Sequence, residues 1–224
     1  TAATVESKYK GLPWVILGDS FSDASNSHPK WYPTTRDITG LVIAQNYGTG
    51  GMRFCRKRFE TSDEGTEDNY SIIPNLANYD FSGAKVITIS LGINDYFCSS
   101  PIIEPQGDYG SNFDVDTFTG AIEYTLNYIY THLSGGDVPL IVLSTPTKST
   151  NMAGGVNRAG LSTEDYVENM RKICDKWGLP LCEWVSCGWN RFTTNGGLAS
   201  DMCHPNEKGA ERLGTLMADT IMRY

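Results

Sequence analysis

The residues with the clearest chemical potential lie near the two ends of the chain. Ser20 follows a short apolar run through Gly18-Asp19, and Asp201-Met202-Cys203-His204-Pro205 spaces a carboxylate and an imidazole three positions apart. A serine hydroxyl is a weak nucleophile that needs a base within hydrogen-bond reach, and the base needs a third group to orient it. The chain holds three histidines, His28, His132 and His204. His132 falls on the solvent side of an amphipathic stretch, and His28 precedes Pro29 in a polar loop. The spacing therefore favours His204, with Asp201 accepting the proton on one ring nitrogen and leaving the other to face Ser20. The same pentapeptide also reads as a helix start in which Asp201 caps and His204 is incidental. Gly-Asp-Ser after a strand is, by itself, a common tripeptide.

Acyl transfer further requires donors aimed at the oxygen that gains charge. Asn94, after a third apolar run, offers a side-chain amide, and a glycine of the Gly48 to Gly51 turn offers a backbone N–H with no Cβ in the way. These glycines could equally serve only to turn the chain, and Asn94-Asp95 could cap a helix.

Elements that would hold such residues together can be read from periodicity. Apolar, β-branched runs at 13–18, 41–47, 85–91, 139–144 and 180–185 read as buried strands. Between them, Phe118, Ile122, Leu126, Ile129 and Leu133 recur at helical spacing, as do Tyr166, Met170, Ile173 and Trp177. Ser162-Thr163-Glu164-Asp165 supplies a hydroxyl cap and acids for a helix start, and a last helix is expected from about 206 to 222. Alternating strands and helices imply an α/β fold, a three-layer α/β/α sandwich around a central five-stranded parallel sheet, in one domain over 1–224. In such sheets ligands bind beyond the carboxyl ends of the strands. Gly18 to Ser22, Asn46 to Gly51, Gly92 to Asp95 and the loop with Asp201 and His204 all fall there or before the last helix. Of the long irregular stretches at 52–70, 98–114, 147–161 and 186–200, three follow strands on the ligand side and are expected to build the substrate pocket.

These four segments, in this order, resemble the SGNH hydrolases, also called the GDSL esterase/lipase family. Gly18-Asp19-Ser20-Phe21-Ser22 is similar to the first family block, Asn46 with Gly51 to the second, Gly92-Ile93-Asn94-Asp95 to the third, and Asp201 to Pro205 to the last. The resemblance implies Ser20 as nucleophile, His204 as base and Asp201 as its orienter. It also implies an oxyanion hole from the Ser20 N–H, the Gly51 N–H and the Asn94 amide, a flavodoxin-like sheet, and no metal or cofactor. Gly50 is the alternative to Gly51.

Composition narrows the partners. With 224 residues, 40% hydrophobic and 20% charged, the chain is globular, and a formal charge of −8 argues against nucleic acid or an anionic membrane surface. The basic cluster Arg53, Arg56, Lys57, Arg58 precedes an acidic run and reads as a solvated loop of balanced charge. No apolar run is long enough to span a bilayer, and Thr1 to Lys10 lacks the apolar core of a signal peptide, as it would after cleavage of a leader. Six cysteines without a CxxC pair argue against structural zinc; Cys174–Cys182 and Cys187–Cys203 are the bridges expected, and with aromatic-rich loops they favour an extracellular or surface setting. The pocket loops carry Trp31, Tyr32, Tyr109, Trp189 and Asn190 beside Arg53 and Arg191, with Arg53, Trp189 and Arg191 as the candidate substrate contacts. This mix suits sugar rings better than an acyl chain. The leading expectation is a carbohydrate esterase removing a small acyl group, set against a lipase or thioesterase and a catalytically silent carbohydrate-binding module.

Overall fold

All five expected strand segments enter one sheet. In the computed structural model, which describes residues 7–105, 107, 109–110, 112–133, 138–148, 155–190, 193, 201 and 203–224, the strands are β1 (Pro13–Gly18), β2 (Val42–Asn46), the two-residue β3 (Lys57–Arg58) and β4 (Thr66–Glu67), β5 (Val86–Ser90), β6 (Leu140–Ser144) and β7 (Leu181–Cys182). The main sheet has the order β2-β1-β5-β6-β7, with every neighbouring pair parallel. Counting only its own strands, this is the flavodoxin-like order 2-1-3-4-5, whose switch point lies between β1 and β5.

A parallel strand covered on both faces is mostly apolar. β5 (VITIS) is buried throughout, with its two hydroxyls partnered, Thr88 accepting the Trp14 indole N–H at 3.0 Å and Ser90 lying 3.0 Å from the Ser22 hydroxyl. Successive side chains then split between two cores. Val15, Leu17, Ile87, Ile89, Ile141 and Leu143 pack with helices α3 (Phe118–His132) and α4 (Thr163–Trp177). Trp14, Ile16, Val86 and Val142 face the other way, toward Trp31 and the Leu213-Met217-Ile221 stripe of α5 (Glu207–Met222). Helices α1 (Tyr32–Thr39), which packs on α5, and the single-turn α2 (Ile93–Phe97) complete the set. The expected cap at Ser162 is a reciprocal capping box with Asp165, and α4 ends on Gly178 at φ 64°.

Three local expectations are corrected. The strand expected over 180–185 stops at Cys182, because Trp184 turns inward to donate its indole N–H to the Leu213 carbonyl and the Val185 N–H donates to Thr145 Oγ1 rather than to a strand. Asn94 and Asp95 lie inside α2, whose N-cap is Gly92. Cys174, Cys182 and Cys187 are thiols, so neither expected bridge forms; Cys174 and Cys182 sit in the cores on opposite faces of the sheet. No described helix is long and apolar enough to cross a membrane.

Candidate active site

Ser20 sits in the turn that leaves β1. The N–H groups of Ser22 and Asp23 both donate to the Asp19 carbonyl, at 2.9 and 3.0 Å, closing a tight turn around the serine. Across from it, His204 Nε2 lies 2.9 Å from Ser20 Oγ, and His204 Nδ1 lies 2.7 Å from Asp201 Oδ2. Asp201 divides its two oxygens: Oδ1 accepts the backbone N–H groups of Cys203 and His204 at 3.0 and 2.6 Å, while Oδ2 holds the imidazole. The helix-start reading of the pentapeptide is not realised: α5 begins at Glu207 with Asn206 as its N-cap, whose side chain accepts the Gly209 N–H at 3.0 Å. Asp201 instead closes an Asx turn ahead of the helix that aims its carboxylate at the ring. Partial burial pushes the Asp201 carboxyl upward, but the hydrogen bonds from the His204 ring and from two backbone amides outweigh it and bring it down to about 2. A depressed folded value means that its contribution to stability is present above the ordinary carboxylate range and is lost as pH falls through about 2.

The second wall comes from the turn after β2. The Asn46 amide donates to the Ser22 carbonyl at 3.0 Å, and Asn46 Oδ1 accepts the Gly48 N–H at 2.9 Å, so one side chain ties the serine turn to the glycine turn. The two backbones approach so closely that a Cβ on Gly48 would lie 2.4 Å from the Ser22 carbonyl carbon. Gly48→Ala must move backbone, not a side-chain tip. It is expected to lower stability by roughly 1–3 kcal/mol and to depress turnover more than the lost stability explains, measured as the activity of protein that remains folded by circular dichroism; an alanine variant with wild-type kcat would contradict this. Gly50 donates its N–H to Asp23 Oδ2 at 2.9 Å, while Gly51, at φ 82°, has no recorded acceptor for its own N–H among the described residues. From α2, Asn94 Nδ2 donates one hydrogen to the Met52 carbonyl at 2.9 Å, which fixes the amide beside Gly51.

Two buried carboxyls brace these turns. Asp95 accepts the N–H groups of Phe54 and Cys55, both at 2.9 Å, and the Ser100 hydroxyl at 3.1 Å; burial nevertheless raises its pKa. It anchors the chain after Gly51 to the helix that carries Asn94. Asp19 accepts the Phe21 N–H at 3.0 Å and is pushed up to about 7, first by burial and further by the nearby Asp95, with the backbone hydrogen bond opposing. As pH rises from about 4, the unfolded chain releases this proton first, so folding loses stability until about pH 7 and stays lower above it. Asp19→Asn, which keeps the acceptor for Phe21, is expected to be more stable than wild type by an amount that grows between pH 5 and pH 8, toward a limit on the order of 4 kcal/mol. Thermal melts of both proteins at the two pH values measure it, and an equal gap at both would contradict the protonated state.

The expected substrate contacts are placed differently. Arg53 is only 1% exposed, and its guanidinium donates to Asp68 at 2.9 and 3.2 Å and to the carbonyls of Arg56 and Lys57, so it fixes its own loop while lining the cavity beside Gly51 and Asn94. Trp189 is buried with its ring tilted against Phe21 at 6.1 Å. Arg191 lies outside the described residues. Trp31 is likewise buried, and Tyr109 packs edge-on against Trp177, with its hydroxyl on the Lys176 carbonyl. The basic cluster is an ion-paired hairpin: Arg56 and Lys57 meet Asp116 at 2.7 and 3.1 Å.

Sequence reasoning missed His28. Its ring stacks on His204 with centroids 4.0 Å apart and planes within 4°, while Phe21 tilts against the same imidazole at 5.7 Å. Burial, and next the neighbouring His204, lower the His28 pKa, which favours a neutral ring on the face of the base. Its only signal in the sequence is proximity to Ser20. His28, Asp201 and His204 each bring a potential metal ligand within 4.8 Å of the others. The two rings are parallel, however, so their in-plane lone pairs run side by side and do not converge on one ion, and Asp201 and His204 are already engaged with each other.

No family model matches the sequence, and no curated protein matches it. Solved structures do. A protein of Chitinophaga pinensis whose name places it among lipases superposes with a TM-score of 0.71 at 18% identity, over 95% of this chain and 98% of the other. A Bacteroides ovatus protein named among GDSL-like lipases gives 0.66 at 17% identity, over 96% and 100%. A carbohydrate acetylesterase family member from Sinorhizobium meliloti gives 0.60 at 15%, over 94% and 97%. The chain has the α/β fold of these GDSL-like hydrolases along nearly its whole length.

Proposed function

We propose that this protein is a serine esterase of the SGNH (GDSL) family that removes a small acyl group, an acetyl above all, from a carbohydrate. The observation that carries the esterase reading is the unbroken chain from Ser20 Oγ to His204 Nε2 at 2.9 Å and from His204 Nδ1 to Asp201 Oδ2 at 2.7 Å. In this reading Ser20 attacks the ester carbonyl while His204 takes its proton, and Asp201 holds the ring tautomer and balances the imidazolium. The carbonyl oxygen becomes an oxyanion facing the N–H groups of Ser20 and Gly51 and the amide of Asn94. The tetrahedral adduct collapses as its bond to the sugar oxygen breaks and His204 gives that oxygen the proton, so that the sugar leaves with a free hydroxyl and an acyl-Ser20 remains. Water, activated by His204, then releases the acid. Gly51 is preferred to Gly50 because the Gly50 N–H is held by Asp23.

Support for the sugar comes from the acetylesterase name of one structural relative, and two relatives named for lipases define the competing reading. Acetate release across a panel of acetylated glycans, run beside p-nitrophenyl esters of increasing chain length, separates them. A short-chain optimum with acetate release supports the proposal. Rapid cleavage of long-chain esters without release from any acetylated sugar would assign a lipase instead.

A further inference from the structure

Beside Gly51 and Asn94 opens a cavity of about 390 Å³ whose far wall is made by Arg58, Glu60, Tyr70 and Phe97. The catalytic chain uses none of these four. An acetyl group is far too small to occupy the space, and a volume within the range of small-molecule pockets calls for the larger part of an ester, its alcohol.

The lining restricts that alcohol. Arg58 is ion-paired with Glu60 and lies 3.7 Å from Asp68, which in turn holds Arg53 at 2.9 Å. Two cations and two anions cancel, so the wall attracts neither a carboxylate nor an ammonium group, while a fatty chain would have to desolvate them. What remains attractive is a neutral group dense in hydroxyls, which can accept from a guanidinium and donate to a carboxylate. Aromatic surface is available next to these charges. Tyr70 is 49% and Phe97 36% exposed, and Tyr70 ring carbons lie 3.3–3.7 Å from the point where a Gly51 Cβ would sit. A ring face thus borders the glycine of the second wall, where the C–H face of a sugar can pack.

We propose that this cavity is the alcohol subsite and that it takes a neutral sugar ring, with Tyr70 as its packing face and the Arg58–Glu60 pair reading its hydroxyls. The assignment rests on the esterase reading of Ser20. It is tested by kcat/KM for an O-acetylated methyl glycoside of a neutral hexose and for ethyl acetate, whose alcohol part has no ring or hydroxyls to engage the wall, in wild type, Tyr70→Ala, Tyr70→Phe and Glu60→Gln. Tyr70→Ala and Glu60→Gln are each expected to lower the ratio of sugar ester to ethyl acetate by about tenfold, mainly through KM, and Tyr70→Phe to restore most of it. Equal losses on both esters, an unchanged ratio, or a wild-type preference for an acetylated uronic acid would overturn the subsite while leaving the esterase standing. A wild type that hydrolyses neither ester overturns both. Glu60→Gln, at a partly exposed side chain, keeps the test decisive should Tyr70→Ala misfold.

Discussion

Ser20→Ala is expected to lower kcat for p-nitrophenyl acetate by roughly 10⁴- to 10⁶-fold. The only side-chain hydrogen bond recorded for the Ser20 hydroxyl among the described residues is the one to His204, and the turn around it is held by the Asp19 carbonyl and by Asn26, whose amide donates to the Ser20 carbonyl at 2.9 Å. Removing one oxygen therefore leaves the backbone in place, and the melting temperature is expected to stay close to wild type. His204→Ala should cost a comparable amount, and the double variant little more than either alone, because the pair acts as one unit. A fluorophosphonate probe gives the same answer without turnover: it should label wild type at Ser20 and leave His204→Ala nearly unmodified. Activity of Ser20→Ala within tenfold of wild type, or a wild type that refuses the probe, would remove the nucleophile and with it the enzyme reading.

The second large effect belongs to Asn94. Asn94→Ala is expected to reduce kcat on the order of 10²- to 10³-fold with little change in KM, since in the proposed mechanism the amide acts on charge that exists only as the oxyanion forms. The side chain spends one hydrogen on the Met52 carbonyl and has a second for the oxyanion. Deleting it also leaves that carbonyl without its partner, so part of the effect could be displacement of Gly51. Asp95→Asn separates the two, because Asp95 braces the same stretch through Phe54 and Cys55 without being placed at the reacting atoms. Destabilisation with much smaller loss of kcat is expected there. If Asn94→Ala costs less than tenfold in kcat, or if Asp95→Asn costs as much, Asn94 is a brace and not an oxyanion donor.

Much of this molecule was legible without coordinates. Strands β1, β5 and β6 follow from runs of mostly apolar residues, because a strand covered on both faces has few solvent-facing positions to interrupt its pattern. β2 forms where a strand was expected but lies exposed at the sheet edge instead of buried, and α3, α4 and α5 follow from stripes that must face the sheet. The short β7 was overdrawn because the Pro180 to Val185 run is apolar for two reasons, pairing up to Cys182 and then packing of Trp184 under α5. Loops were the weak point. The aromatics at Trp31 and Trp189 and the charge of Arg53 had the composition of a binding surface, yet each is buried, because a large ring or an ion-paired guanidinium serves equally well to fix a loop from beneath.

The sequence by itself determined which residues enter the proposed chemistry: a serine after the first strand, an aspartate and a histidine three apart, an asparagine after the third strand of the sheet, and the order that places all of them at one end of a parallel sheet. Only the tertiary structure decided who meets whom. It put 2.9 Å between atoms 184 positions apart in the chain, gave the two oxygens of Asp201 separate duties, took Gly50 for Asp23, laid His28 on His204, and put Tyr70 against Gly51. Such contacts depend on loop paths of ångström precision, and those are set by close packing and hydrogen bonds between segments remote in sequence, where no local pattern records them.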